Sequence, residues 1–590
     1  MIASTIRGNR TREAVVASSG KVQERFGWWA DWRAQAAARR ARPAKGFVSQ
    51  PEPRSMGSYA RGKQIMAGTV MLAGILVEAP GKAIWDIPAP DPEFRAEAQG
   101  FAWLDDLAAF DTAEARKRAQ AWTWDWIARF GTGRGPGWSP DLIGRRIIRW
   151  VHHATFLMSG RSKAETEVFY RAIARQSAFL ARRWKAAAPG LPRIEALTGL
   201  VYAGLSLVGA QGLVGPASQA LTQACMSEVD DAGGIASRNP EELLEVLTLL
   251  TWAASAMTDA GRAVPQALFA AITRIAPGLR VLRHADGSLA RFQGGDGGAE
   301  GRLDQALAIS AVRRGPTPAM AMGYVRLAGG RTTVILDAAS PPVGRSARVA
   351  HASTSAFQLT SGRRPLIVSC GAGTGFGQSW RQAARATQSH SVLAMEGHSS
   401  SSFKAGNLDL VRAAKVSAAR VTPGTEGTDI FVSHDGWLAS YGLMAGRSLT
   451  LSHDGRRLSG VDTLTVETPE ARKQFQDLMT ATAMAGAPFA LHFHLHPDVD
   501  ATLDMAGSAV SLALRSGEIW VLRHSGPLSL AIEPSFYLEK GRLNPRPCKQ
   551  VVLRGHARGF ETRIGWTLAK AKDTPLAIRD LDLADPEATT

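Results

Sequence analysis

The feature that most limits what this chain can fold into is a change in hydrophobic period near its middle. From about Phe94 to Pro277 apolar residues recur every three to four positions, the spacing that places them on one face of a helix. Glu114–Arg129 shows it clearly, with Ala115, Ala119, Trp122 and Trp126 in phase. Further helices are predicted at Leu142–Met158, Ala164–Ala186, Arg193–Gly209, Ala217–Val229 and Glu241–Ala260, divided by short Gly/Pro joints such as Gly133–Pro140. After about Gly315 the period becomes two. Strand pairs are expected at Gly323–Leu327 with Arg331–Leu336, and at Ala356–Thr360 with Pro365–Ser369. Later candidates are Ser391–Met395, Leu449–Ser452, Phe489–Leu495, Ala509–Leu514, Ile519–Arg523, Leu528–Glu533 and Gln550–Leu553. A helical array followed by many short strands reads as an all-α domain joined to a β-sandwich, with the Gly-rich stretch Gly294–Gly301 at the joint.

Composition decides less, but it excludes several classes. Hydrophobic residues make up 45% of the 590 and charged residues 21%, so neither a disordered nor a fibrous chain is expected. Three scattered cysteines, Cys225, Cys370 and Cys548, exclude a disulfide scaffold. The longest apolar run, Ile65–Val77, is shorter than the ~20 residues of a spanning helix. No secretory signal is legible, which points to the cytoplasm. The net charge is +17, and residues 1–63 carry 13 Lys/Arg against 4 Asp/Glu. Within them Phe26–Arg42 mixes Trp28, Trp29 and Trp32 with four arginines. Such a segment is either a solvated or docked surface helix, or one that lies on an anionic membrane or polyanion. No nucleic-acid module accompanies the charge, so specific nucleic-acid binding is not expected.

The second half contains His351-Ala-Ser-Thr-Ser-Ala-Phe357-Gln358-Leu359, Gly362-Arg-Arg-Pro365-Leu-Ile-Val-Ser369-Cys-Gly371, Arg385-Ala-Thr387-Gln-Ser-His390-Ser391 and Leu491-His-Phe-His-Leu-His496-Pro497. Upstream stand Gly100-Phe-Ala-Trp103 and Gly135-Pro-Gly-Trp138-Ser-Pro-Asp-Leu142, then Gly144-Arg-Arg146 and Trp150. In order and spacing these resemble the heparinase II/III family of polysaccharide lyases, over roughly residues 60–575 and most strongly over 345–395. The resemblance implies an N-terminal incomplete α/α toroid followed by a C-terminal antiparallel β-sandwich. With it the chain divides into a basic leader (1–60), a toroid (61–300), a sandwich (301–575) and a tail (576–590).

The resemblance also implies a reaction, β-elimination on a uronic-acid glycan. It needs a partner for the carboxylate, a base for the C5 proton and an acid for the leaving oxygen. Carried over by residue, the site departs from the family's pattern. Aligned on Phe357 and Leu359, the family's catalytic His falls on Val349, and His351 matches a second His that ligates a structural metal. Moving the alignment by two residues would make His351 the catalytic one. The other ligand positions are His390 and Ser369, where an Asp is expected. No cofactor is implied for the reaction; a structural zinc would have only His351 and His390. The His-x-x-Glu helix matches Pro192-Arg193-Ile194-Glu195, which keeps only Glu195. The Asp-Gly-Gly…Arg-Ser-Pro-x-Tyr motif matches Asp231…Arg238-Asn239-Pro240-Glu241-Glu242, with Glu242 in place of Tyr.

The candidate catalytic set is therefore Glu195, Arg238, Asn239, Glu242 and His351, with Glu195 or Glu242 as base and Arg238 as carboxylate partner. Arg145, Arg146 and Trp138 are the candidates for binding an acidic polysaccharide. Each has a structural alternative: carboxylates paired with Arg inside helices, buried Arg holding helix ends, histidines cross-bonded in a core. His492, His494 and His496 alternate and so share one face of a strand. Two functions follow. One is a carbon–oxygen lyase. The other is a non-catalytic, acidic-polysaccharide-binding or envelope-associated protein that keeps the fold without its chemistry. The family implies the periplasm or envelope as the place of work.

Overall fold

A computed structural model describes residues 29–48, 51–313, 318–404 and 409–571. Trp28, the remainder of the leader before it, and the 576–590 tail lie outside the described residues. The chain forms two compact units. The first takes in the chain up to Leu72, Leu76–Met226 and Leu249–Phe269; the second takes in Ala73–Ile75, Ser227–Thr248 and the chain from Ala270 on.

The first unit is helical. Ala113–Phe130, Pro140–His152, Lys163–Arg183, Leu191–Ser206 and Val214–Glu228 follow the expected order. The helix expected over Leu142–Met158 is instead two, because His153 leaves helical geometry between Pro140–His152 and Ala154–Met158. Local chemistry fixes the ends. Thr112 caps Ala113–Phe130, and Ser162 and Glu165 form a reciprocal capping box on Lys163–Arg183. The in-phase tryptophans build an aromatic core in which Phe101, Trp103, Trp126 and Trp150 are buried and Phe101 packs against the other three rings. The helices Pro140–His152 and Leu191–Ser206 cross at two glycines. A Cβ on Gly199 would lie 2.4 Å from the Cα of Gly144.

Residues 29–39 are helical and lie against this unit through Ala34 and Ala38, which are buried. Asp31 accepts from Arg183 at 2.5 Å. The outer face presents Trp29 and Trp32, 55% and 53% exposed and edge-on to each other.

Further along, Ser55 and Ser58 fasten the chain to the helix Ala102–Phe110. Ser55 Oγ donates to Asp105 at 2.8 Å, and the Ser58 amide donates to Asp106 at 2.8 Å. Asp105 also receives Arg149 and His153, each at 2.8 Å. Among the described residues no such cation is in contact with Asp106, and burial lifts its pKa to about 6. The folded carboxyl therefore holds its proton more tightly than the unfolded one. Stability rises as pH falls through 6 and levels off below the ordinary value of 3.8. Asp106→Asn should raise stability by roughly 2–3 kcal/mol at pH 8. The gain should vanish by pH 4. Urea melts at the two pH values check this; an equal gain at both would contradict it.

The second unit is a sandwich of two antiparallel sheets. Among the described residues, one sheet runs in the order Val416–Pro423, Gly427–Trp437, Leu443–Ser452, Arg457–Thr465, Glu561–Lys570, Ile519–Ser525, Ala509–Leu514, Val499–Asp504. The other has Ser529–Tyr537 at one edge, then Arg546–Ala557, Ala487–Leu495, Arg364–Val368, Phe357–Ser361, Thr332–Asp337, Tyr324–Gly329 and Met320–Ala321, with Leu393–Met395 beside Ala487–Leu495. Their facing sides share one core. Val334, Leu336, Phe357, Leu359 and Phe493 meet Ile430, Val432, Leu449, Leu522 and Trp566, and the rings of Phe357 and Trp566 stack at 5.6 Å. The alternating histidines point the other way, as their period requires. His492 meets Gln550 at 3.0 Å, and His494 meets Ser535 and the Gln388 carbonyl, each at 2.8 Å.

The expected helix-then-strand order holds. Several elements had no counterpart in the expectation: the strands Val416–Pro423, Gly427–Trp437, Arg457–Thr465, Val499–Asp504 and Glu561–Lys570, and the helix Pro469–Ala481 set among them.

Candidate functional site

The candidate residues divide between the units. Glu195, Arg145, Arg146 and Trp138 belong to the first, and Arg238, Asn239, Glu242, His351 and His390 to the second.

In the first unit, Arg145 and Glu195 sit on the two helices that cross at the glycines. Arg145 Nε lies 2.7 Å from Glu195 Oε1, and a second carboxylate, Glu97, is 3.7 Å away. The proposed base is thus held by the proposed glycan clamp. Arg146 is fully buried. It donates to Gln176 at 2.6 Å, to the Gln99 carbonyl at 2.7 Å and to the Gly137 carbonyl at 2.9 Å, and its guanidinium lies 4.0 Å over Trp126. Trp138 donates to the Phe130 carbonyl and packs edge-on against Phe179. These side chains join helix to helix. Arg146 and Trp138, expected to face a glycan, are buried here, and their polar atoms already meet protein partners.

In the second unit, Arg238 is the centre of a polar knot. Its backbone is left-handed, at φ 53°. Its guanidinium donates to Asp337 at 2.5 Å, to the Met322 carbonyl at 2.7 Å and to the Ser340 carbonyl at 2.7 Å. It also stacks 4.6 Å over Tyr324, whose hydroxyl donates back to the Arg238 carbonyl at 2.8 Å. Asp337 is completely buried and further receives Ser353 at 2.7 Å and Gln293 at 3.1 Å. Arg238 therefore binds an internal carboxylate. Asp337, Gln293 and Ser353 are not among the residues the sequence points to, because no local motif marks them.

Asn239 and Glu242 have local roles. Asn239 Oδ1 accepts the amides of Glu241 and Glu242 at 2.9 and 3.3 Å, capping the helix Pro240–Asp259. Glu242 accepts from Ser237 Oγ at 2.5 Å. Burial raises its pKa, and Ser237 only partly offsets this.

His351 and His390 are both buried, and they bond to each other, Nδ1 to Nε2, at 3.3 Å. His390 Nδ1 continues to Ser369 Oγ at 3.1 Å. Burial pushes the pKa of His351 far down and that of His390 to about 3, so both rings are neutral. Two nitrogens that would face a common metal instead share a proton between them, and the third donor is a hydroxyl. Among the described residues no group of three or more His, Cys, Asp or Glu is placed to hold an ion. The residues do not fit a structural zinc. With Val349 in the first histidine position, His351 is a buried, neutral partner of His390.

Also among the described residues, no helix is long and apolar enough to cross a membrane.

Known proteins resemble the chain in two ways. The family model for the heparinase II/III-like C-terminal domain matches residues 311–567. Heparinase III superposes over 92% of this chain and 89% of its own with a TM-score of 0.68 at 12% identity. Heparan sulfate lyase HepC from Pedobacter heparinus does so over 93% and 88%, with a TM-score of 0.55 at 13% identity. FtsZ-localized protein C of Caulobacter vibrioides is 31% identical over 544 residues, 90% of this chain and 91% of that protein. The toroid-and-sandwich fold and the matched sandwich sequence agree: the chain belongs to the heparinase II/III-like family.

Proposed function

We propose that this protein is a non-catalytic, envelope-associated member of its family that serves as an adaptor on FtsZ assemblies. The observation that carries the reading is the internal use of every group the elimination would need. Glu195 is held by Arg145, Arg238 by Asp337, Glu242 by Ser237 and His351 by His390. A base must reach the proton it removes, and none of these is presented for that. The 31% identity to a protein named for its FtsZ localisation, across nine-tenths of both chains, supports the partner. The exposed Trp29 and Trp32 on a basic helix support contact with an anionic envelope surface.

Two assays on the purified chain test this. Incubated with heparan sulfate and with alginate, it should release no unsaturated uronide absorbing in the near ultraviolet. Spun with FtsZ polymerised by GTP, it should pellet with the filaments and stay in solution when GTP is omitted. Uronide release that Glu195→Gln or Glu242→Gln abolishes would overturn the reading and restore the lyase. Failure to pellet would remove the adaptor role.

A further inference from the structure

Between Asp337 and Glu396 the sequence contains no Asp or Glu, yet it contains six arginines. The sandwich unit gathers part of this imbalance on one face. Arg385 is the fastener. Buried, it donates to the Ala350 and Ala347 carbonyls at 2.6 and 2.7 Å, and its guanidinium covers the Phe403 ring at 4.4 Å. It thereby ties the turn Gly344–Arg348 to a two-stranded ribbon, Ser402–Phe403 with Leu410–Arg412. Arg348, largely exposed, reaches back to Asp409 of that ribbon at 3.6 Å. Arg345, Lys404 and Lys415 stand exposed around it. Beside these cations lie Val411 and Val343, 70% and 67% exposed, the two most exposed large apolar side chains among the described residues.

We propose that this face binds an acidic, aliphatic peptide segment in extended form. Three observations select that occupant. Cations outnumber carboxylates there, Arg345, Arg348, Lys404, Arg412 and Lys415 against Asp409 and Asp435, and a partner of opposite sign is steered to the excess and held in register. The anchors are aliphatic and flank a ribbon that forms a sheet of its own, so an added strand can pair with its edge while alternate side chains meet the valines. The ring described on this face, Phe403, is half-buried with the Arg385 guanidinium over it, and is not the open aromatic platform a sugar would stack on. Nor, among the described residues of this face, is there the Trp or Tyr belt that marks a lipid interface. The inference deepens the adaptor reading and rests on it, because it supplies the chemistry of the segment an adaptor would hold.

Fluorescence polarisation on the full chain tests it, with a labelled twelve-residue peptide alternating Asp/Glu with Leu/Val. Heparin and phosphatidylglycerol vesicles serve as competing probes. The peptide should bind with micromolar affinity that weakens as salt rises. Arg345→Glu with Arg348→Glu should weaken it at least tenfold. Val343→Ser with Val411→Ser should weaken it several-fold and leave heparin binding unchanged. All four positions are solvent-facing, and circular dichroism will show that both variants keep the fold. No peptide binding at millimolar concentration would overturn the proposal. So would binding that neither double variant changes. Heparin or vesicles displacing the peptide, with the valines without effect, would make this a general polyanion face and overturn the peptide assignment. The arginine variant separates this proposal from the adaptor reading. If it loses the peptide yet pellets normally with the filaments, the adaptor stands and uses another surface. If neither variant nor wild type pellets, the adaptor reading itself has failed.

Discussion

Asp337→Ala should cost about 3–5 kcal/mol, the range for removing one partner of a buried ion pair. The mechanism is loss of compensation. Asp337 is completely buried, and Arg238 beside it is nearly so. Without the carboxylate a guanidinium remains among carbonyls that cannot balance its charge, and Ser353 and Gln293 lose their acceptor. Arg238→Met with Asp337→Leu removes both charges and should recover much of the loss. Urea midpoints of the single and double variants decide the matter. If the single variant is as stable as wild type, Arg238 does not depend on Asp337 and is available as a carboxylate partner for substrate, which the proposed function excludes.

Gly199→Ala should be comparably severe, at about 3 kcal/mol or more, because overpacking here has no flexible neighbour to absorb it. The added Cβ would meet backbone atoms: the Gly144 Cα at 2.4 Å and its carbonyl oxygen at 2.8 Å. The two helices would have to separate along their crossing. On those same helices Arg145 holds Glu195, so the pair should loosen with them. Gly215→Ala is the control. Nothing lies within 4 Å of a Cβ there, and alanine in a helix is favourable. A Gly199→Ala melting temperature near that of Gly215→Ala would contradict the close crossing.

The helix-to-strand switch was legible because it depends on period alone, and period survives any choice of apolar residue. The missed strands show where period fails. Arg457–Thr465 reads Arg-Leu-Ser-Gly-Val-Asp-Thr-Leu-Thr, with Gly and Asp where a strand is expected to carry bulk. Both have tertiary reasons. A Cβ on Gly460 would meet the indole of Trp566 at 2.1 Å. Asp462 is buried against Arg447 at 2.7 Å and receives the Trp566 indole N–H at 2.9 Å. Those partners lie on neighbouring strands, one of them about a hundred residues away, and no local pattern announces them. The candidate site divides in the same way. The His351–His390 cross-bond and the Arg pairing of Glu195 are open to sequence reasoning, because each joins residues that the motifs already single out. Asp337 is not, because Arg238 finds it across a gap of about a hundred residues, on a strand whose pattern is ordinary.

The order of strands also bears on how the protein is made. Glu561–Lys570, the last described strand, lies in the interior of its sheet, between Arg457–Thr465 and Ile519–Ser525. A ribosome delivers the chain from the other end. Until that strand emerges, two nascent edges face each other with open backbone donors and acceptors, a state prone to wrong pairing. The sandwich therefore cannot close before that strand is made. A message that stops before Glu561 would yield an open sheet, a ready target for chaperones and proteases.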